Sequence, residues 1–153
     1  MTTIEESIEV AAPLNTAYNQ WTQFEEFPKF MEGVERVEQL EDHRPHWVAQ
    51  IGGRRREWEA EITEQRPDER IAWTSRTGTT NAGVVTFHRL DDTNTRVMLQ
   101  MEVEPEGPKE KLADAMGMLQ RQVRKDLENF KEFIEQRGRE TGAWRGEIDR
   151  RAG

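Results

Sequence analysis

The side chains best suited to acid–base chemistry in this sequence are three histidines, His43, His46 and His88, and its one tyrosine, Tyr18. His43 and His46 lie in or beside a turn ahead of Trp47 and read as surface residues. His88 belongs to an extended stretch, Gly83 to Leu90, whose inward face has two readings. If Val85 and Phe87 point inward, His88 faces solvent; if Val84 and Thr86 do, His88 enters the interior. No histidine has a second histidine or an acid at ligand spacing, so no metal site is expected. The absence of cysteine leaves out disulfides, thiolate zinc sites, iron–sulfur clusters and thiol nucleophiles. There is no nucleophile elbow, phosphate-binding glycine loop or dinucleotide fingerprint, and no cofactor is expected.

The charged clusters have plainer readings. Glu57, Glu59 and Glu61 alternate with Trp58 and form a strand face for solvent. Arg54-Arg55-Arg56 is the only local basic cluster in the body, either a solvated hairpin tip or a clamp on an anionic group. Net charge is −8 over 153 residues; residues 137–153 contribute +2, which leaves the body at −10. Such a surface repels phosphate backbones, so nucleic acid is not an expected partner. No run approaches the ~20 apolar residues of a spanning helix, and no stable membrane insertion is expected. The N-terminus lacks the basic start and apolar stretch of a secretory signal, so a cytoplasmic single-domain protein is expected. Nothing in the sequence sets an oligomeric state.

The elements that must position these residues are legible from periodicity. Ile4 to Val10 alternates as a half-buried strand. Pro13 suits a helix's first turn, and Leu14, Ala17, Tyr18, Trp21 and Phe24 form one helical face. Phe27-Pro28-Lys29-Phe30-Met31 reads as a bend with at most a short helix. Strands then follow at Val34–Leu40, Trp47–Ile51 and Arg54–Glu64. The Gly52-Gly53 turn sets their register, with Trp47 opposite Trp58 and Ala49 opposite Arg56. Pro67-Asp68 turns the chain into a strand holding Ile71, Trp73 and Ser75, with Trp73 near Ile62. Gly83–Leu90 and Arg96–Glu104 complete the meander, the latter with Val97, Leu99, Met101 and Val103 on one face. A long helix, about Lys109 to Arg137, carries a stripe of Leu112, Met116, Leu119, Val123, Leu127, Phe130 and Ile134. At ~1.5 Å per residue it spans roughly 40 Å, enough to cross the whole sheet.

Five tryptophans are many for this length, and Trp47, Trp58 and Trp73 fall on one sheet face. They either fill the core or wall a pocket for a flat apolar ligand. Their bulk argues against a sterol or a diacyl lipid. Met98, Met101, Met116 and Met118 suit either core packing or an adaptable lining. Gly117 inside the long helix either allows a close approach or is a tolerated defect.

This order of elements, with Ile8-Glu9-Val10-Ala11-Ala12-Pro13, Ala17-Tyr18-Asn19-Gln20-Trp21 and Phe24-Glu25-Glu26-Phe27-Pro28-Lys29-Phe30-Met31, resembles the polyketide cyclase/dehydrase-like branch of the START/Bet v 1 (SRPBCC) superfamily. Arg70-Ile71-Ala72-Trp73, Gly83-Val84-Val85-Thr86-Phe87 and Thr95-Arg96-Val97 carry the likeness into later strands. It spans about residues 3–137. The resemblance implies an α+β helix-grip fold, a curved antiparallel sheet wrapped round the C-terminal helix, over residues 1–137, followed by a polar, mobile tail at 138–153. It also implies a cavity between sheet and helix that takes a small hydrophobic molecule such as a lipid, polyketide or quinone.

On that basis Trp47, Trp58, Trp73, Phe87, Met101, Met116 and Leu119 are expected to line the cavity, with Phe27, Phe30 and Met31 at its mouth. Two alternatives stand beside simple binding. One is a cyclase or dehydratase, which needs a polar pair in the cavity and has His88 or Tyr18 as acid–base candidates. The other is a protein-interaction role, as in quinone-chaperone and ribosome-associated relatives, using the acidic surface and the tail around Trp144.

Overall fold

The structure, a computed structural model, describes residues 2–31, 33–41, 44–51, 54–77, 81–103, 109–146 and 148–149. The chain begins with β1 (Thr2–Val10) and α1 (Leu14–Trp21). Pro13 is extended and caps α1 rather than entering its first turn. The helix stops three residues short of the expected Phe24. The Thr22 hydroxyl donates to the Asn19 carbonyl at 2.6 Å, and a 3-10 helix, Phe24–Lys29, takes over with Pro28 inside it. Proline has no N–H for an α-helical ladder, so the change of pitch is local chemistry.

Six strands follow: β2 (Val34–Glu41), β3 (Arg44–Ile51), β4 (Arg54–Arg66), β5 (Arg70–Ser75), β6 (Asn81–Asp91) and β7 (Asn94–Val103). Their sheet order is β1-β7-β6-β5-β4-β3-β2, antiparallel throughout. The first two strands therefore form opposite edges, and α1 with the 3-10 helix carries the chain between them. Trp47 pairs with Trp58 and Ala49 with Arg56, as the sequence predicts; the Gly52-Gly53 turn itself lies outside the described residues. Trp73 pairs with Ile62 on one side and Gly83 on the other.

The sheet curls into a half-barrel round α2 (Lys109–Arg137), the helix-grip arrangement. Leu119, Val123, Leu127, Phe130 and Ile134 of α2 are all buried, and this stripe is what holds the helix in the sheet's concavity. At its C-terminal half the interior is aromatic. Phe130 lies 5.0 Å from Trp21 and 5.3 Å from Phe30, ring centre to ring centre. Where α2 meets the β1 edge of the sheet, Arg124 reaches Glu6 at 2.9 Å and holds its carboxyl below the usual range. Gly138, with φ of 72°, ends the helix by returning its N–H to the Ile134 carbonyl at 2.9 Å.

After Gly138 the tail runs back along α1. Thr141 exchanges two hydrogen bonds with Gln20, at 2.8 and 3.1 Å. The Trp144 backbone N–H donates to Thr22 Oγ1 at 3.0 Å. Arg145 reaches Asn19 Oδ1 at 2.6 Å and Asp68 Oδ2 at 2.8 Å, with its guanidinium 5.7 Å from the centre of the Tyr18 ring. A short β8 (Ile148–Asp149) then pairs with Gln65 and Glu64. The reason is geometric. β3 pairs only with Arg54–Glu59 of the 13-residue β4, so the rest of that edge needs a partner.

Candidate ligand cavity

The concave face of the sheet and α2 do not close on each other completely. Between them lies a cavity of about 130 Å³. One wall is the indole row the register creates: Trp47 and Trp58, stacked at 5.8 Å with planes 4° apart, and Trp73 beside them. The roof comes from Trp21 of α1 and from Phe24, Phe27 and Met31 in and after the 3-10 helix. Leu99, Met101 and Val103 of β7 face Leu119, Val123 and Leu127 of α2 across the space. Aliphatic and aromatic carbon thus makes most of the boundary. Its polar members are Asn81, Gln122 and Asp126, and no lysine or arginine is among the described lining residues.

Trp73 is held by two devices. Its indole N–H donates to Asn81 Oδ1 at 3.0 Å, and its six-membered ring lies over Gly83 on the next strand. A Cβ at Gly83 would sit 2.6 Å from Trp73 Cζ2 and Cη2. Glycine there is therefore a space requirement set by the tryptophan.

The structure brings seven of the expected residues to the cavity: Trp47, Trp58, Trp73, Met101, Leu119, Phe27 and Met31. Three lie elsewhere. Phe87 is buried with its ring edge-on to Tyr18 at 5.3 Å and 6.3 Å from Trp21. Trp21 lines the space and Phe87 does not. Phe30 is occupied by Phe27, Phe130 and Phe133. Met116 packs half-buried against the core, one turn nearer the N-terminus than Leu119. Sequence reasoning did not assign Trp21 and Phe24 to the cavity, nor Asn81, Gln122 and Asp126. The two α2 polar residues share the helical face of Leu119, Val123 and Leu127, a spacing visible in the sequence.

The acid–base candidates are not at the cavity. His88 is exposed, with Nε2 2.9 Å from Thr86 Oγ1, while Val85 and Phe87 point inward. Tyr18 is fully buried beneath the tail. Burial pushes its hydroxyl up to about 12, against the opposing influence of the Gln65 amide and Arg145 beside it. His46 pairs with Glu57 at 2.7 Å on the outer face, and His43 lies outside the described residues. Glu59 and Glu61 meet Arg44 and Arg76 on that same face, and Arg55 meets Glu35, a lattice of solvated cross-strand pairs. Met118 is exposed. A Cβ at Gly117 would meet Arg121 Nη1 at 3.6 Å, and no strand among the described residues makes a close approach there.

The fold and site together define a helix-grip protein, a half-barrel closed on one helix with an apolar cavity left between them. Residues 10–132 match the family described as polyketide cyclase / dehydrase and lipid transport, and the chain belongs to that family. A 17.2 kDa protein of Streptomyces lincolnensis, from the melC2-rnhH intergenic region, is 59% identical over 149 residues, covering 97% of this chain and 99% of the relative. Among solved structures, the Zhui aromatase/cyclase from Streptomyces sp. R1128 superposes with a TM-score of 0.78 at 18% identity, over 94% of this chain and 99% of that one. A START superfamily protein from Mycobacterium smegmatis gives 0.73 at 16%, over 86% and 98% respectively. These two show a shared fold. Among the described residues, no helix is long and apolar enough to cross a membrane.

Proposed function

We propose that the protein binds one small hydrophobic molecule in the cavity between sheet and α2. The observation that carries this reading is the cavity itself, about 130 Å³ bounded mainly by side-chain carbon. Apolar space of this size holds a single aromatic ring in a protein interior. Burial drives binding at about 25 cal/mol per Å² of apolar surface. In this conformation the volume fits one aromatic ring and is too small for a sterol or a diacyl lipid. Binding without turnover is favoured over cyclase or dehydratase chemistry because His88 is exposed and neither it nor Tyr18 is a lining residue.

The test is native mass spectrometry of protein from its host, with extraction of any bound compound, beside the variant Ala49→Leu. Ala49 lines the cavity, and three added carbons there occupy much of the volume. The expected result is one small hydrophobic compound on the native protein and none on the variant, with both folded by circular dichroism. Equal loading of the two would show that the compound sits elsewhere and would overturn the reading.

A further inference from the structure

Three indoles on one cavity wall have different hydrogen-bonding fates. The Trp73 N–H is satisfied by Asn81. The N–H groups of Trp47 and Trp58 are closed off from water and have no acceptor among the described residues. Trp58 is 7% exposed, so solvent does not compensate its donor. A buried donor without an acceptor is costly, and buried indoles ordinarily find a partner. Here the fold provides an acceptor for the third ring of the same row and none for the stacked pair. Both members of the pair are lining residues, so a molecule enclosed against their rings is the nearest source of the missing oxygen.

The charge of that oxygen follows from the rest of the wall. No lysine or arginine is among the described lining residues, and the one ionisable side chain there is the acid Asp126. A carboxylate or phosphate would enter this low-dielectric space with no cation to receive it. A ketone or ether oxygen carries no such penalty. We propose that Trp47 and Trp58 make the cavity selective for a neutral ring compound bearing an oxygen acceptor, over a plain hydrocarbon and over a carboxylate. This inference rests on the ligand-binding reading above and adds the polarity of the ligand to it.

Acetophenone, ethylbenzene and benzoate test it, since they share shape and differ in the oxygen. Calorimetric titration of the intact chain is expected to show acetophenone binding at least tenfold more tightly than benzoate. It is also expected to exceed ethylbenzene by more than their difference in transfer from water predicts. Trp58→Phe and Trp47→Phe keep a ring and remove the donor. Each is expected to cut the acetophenone preference about tenfold while ethylbenzene binding holds. Equal losses for both compounds would assign the indoles to packing alone and overturn the proposal, as would benzoate binding as well as acetophenone. A readout free of substitutions guards against misfolded variants. In the native protein, the indole N–H proton resonances of Trp47 and Trp58 should move downfield with acetophenone and not with ethylbenzene; identical shifts from both would also overturn it. If none of the three compounds binds, the cavity reading itself fails.

Discussion

Replacing Gly83 with alanine tests how the cavity wall is built. The new methyl would lie 2.6 Å from Trp73 Cζ2 and Cη2 and 2.8 Å from the Gln100 carbonyl oxygen. Carbon atoms rest comfortably at ~3.5–4.0 Å, so the indole must retreat by roughly 1 Å. The carbonyl belongs to β7, whose neighbours on both sides hold it in the sheet, so the ring takes most of the movement. That displacement strains a well-packed wall, at about 1–3 kcal/mol, and pulls the indole from Asn81, at about 1 kcal/mol. Losing a glycine from a strand returns ~0.5–1 kcal/mol of backbone entropy. The expected net loss is about 2 kcal/mol, read as a lower urea midpoint at unchanged m-value. Trp73→Phe, which lacks the two clashing atoms, should absorb the alanine. The double variant should then be less destabilised than the two single effects predict, by ~1 kcal/mol or more. If Gly83→Ala is as stable as the native chain, or if the two effects simply add, Trp73 does not lie over Gly83 and the account of this wall is wrong.

The remaining expectations concern the other end of the molecule. Tyr18 is the chain's only tyrosine, and burial raises its pKa to about 12. Between pH 10 and 12 the unfolded chain releases this proton while the folded one keeps it. Stability should therefore fall by up to about 1.4 kcal/mol per pH unit in that window. Denaturation curves from pH 9 to 11.5 should show this slope in the native protein and a shallower one in Tyr18→Phe. Arg145→Ala removes the contact over the Tyr18 ring and the partners Asn19 and Asp68; a loss of about 1 kcal/mol is expected. Amide exchange should then quicken at Gln65, where β8 pairs, and unchanged exchange would show that Arg145 does not hold the tail.

Much of this architecture is written in short-range signals. The Trp47–Trp58 pairing follows from a two-residue turn between alternating segments, and period two then sorts every neighbouring side chain. The Lys109–Arg137 helix has a proline before it and a glycine after it, and its bounds coincide with the sequence reading. The cavity itself is less legible, because lining depends on which side chains fail to fill the space. Phe87 faces inward as its strand period requires, yet it packs edge-on against Tyr18 and Trp21 and does not line the space. Trp21 and Phe24 read as a helical core stripe, and that periodicity does not separate a packed ring from one that borders open space. β8 has no sequence signal at two residues long; it forms because β3 leaves part of β4 unpaired. Asn81 sits at the start of a strand, and nothing nearby in sequence announces that it anchors an indole eight residues earlier.

The distribution of tryptophan has an optical consequence. Trp21, Trp47, Trp58 and Trp73 all border the cavity, and the fifth, Trp144, lies in the tail docked on α1. Intrinsic fluorescence is therefore two reporters in one chain. Four emitters change together when the cavity fills, and one changes when the tail lifts. Trp144→Phe would silence the second without touching the first. Occupancy could then be followed by light in the unlabelled protein, and the two events separated in time.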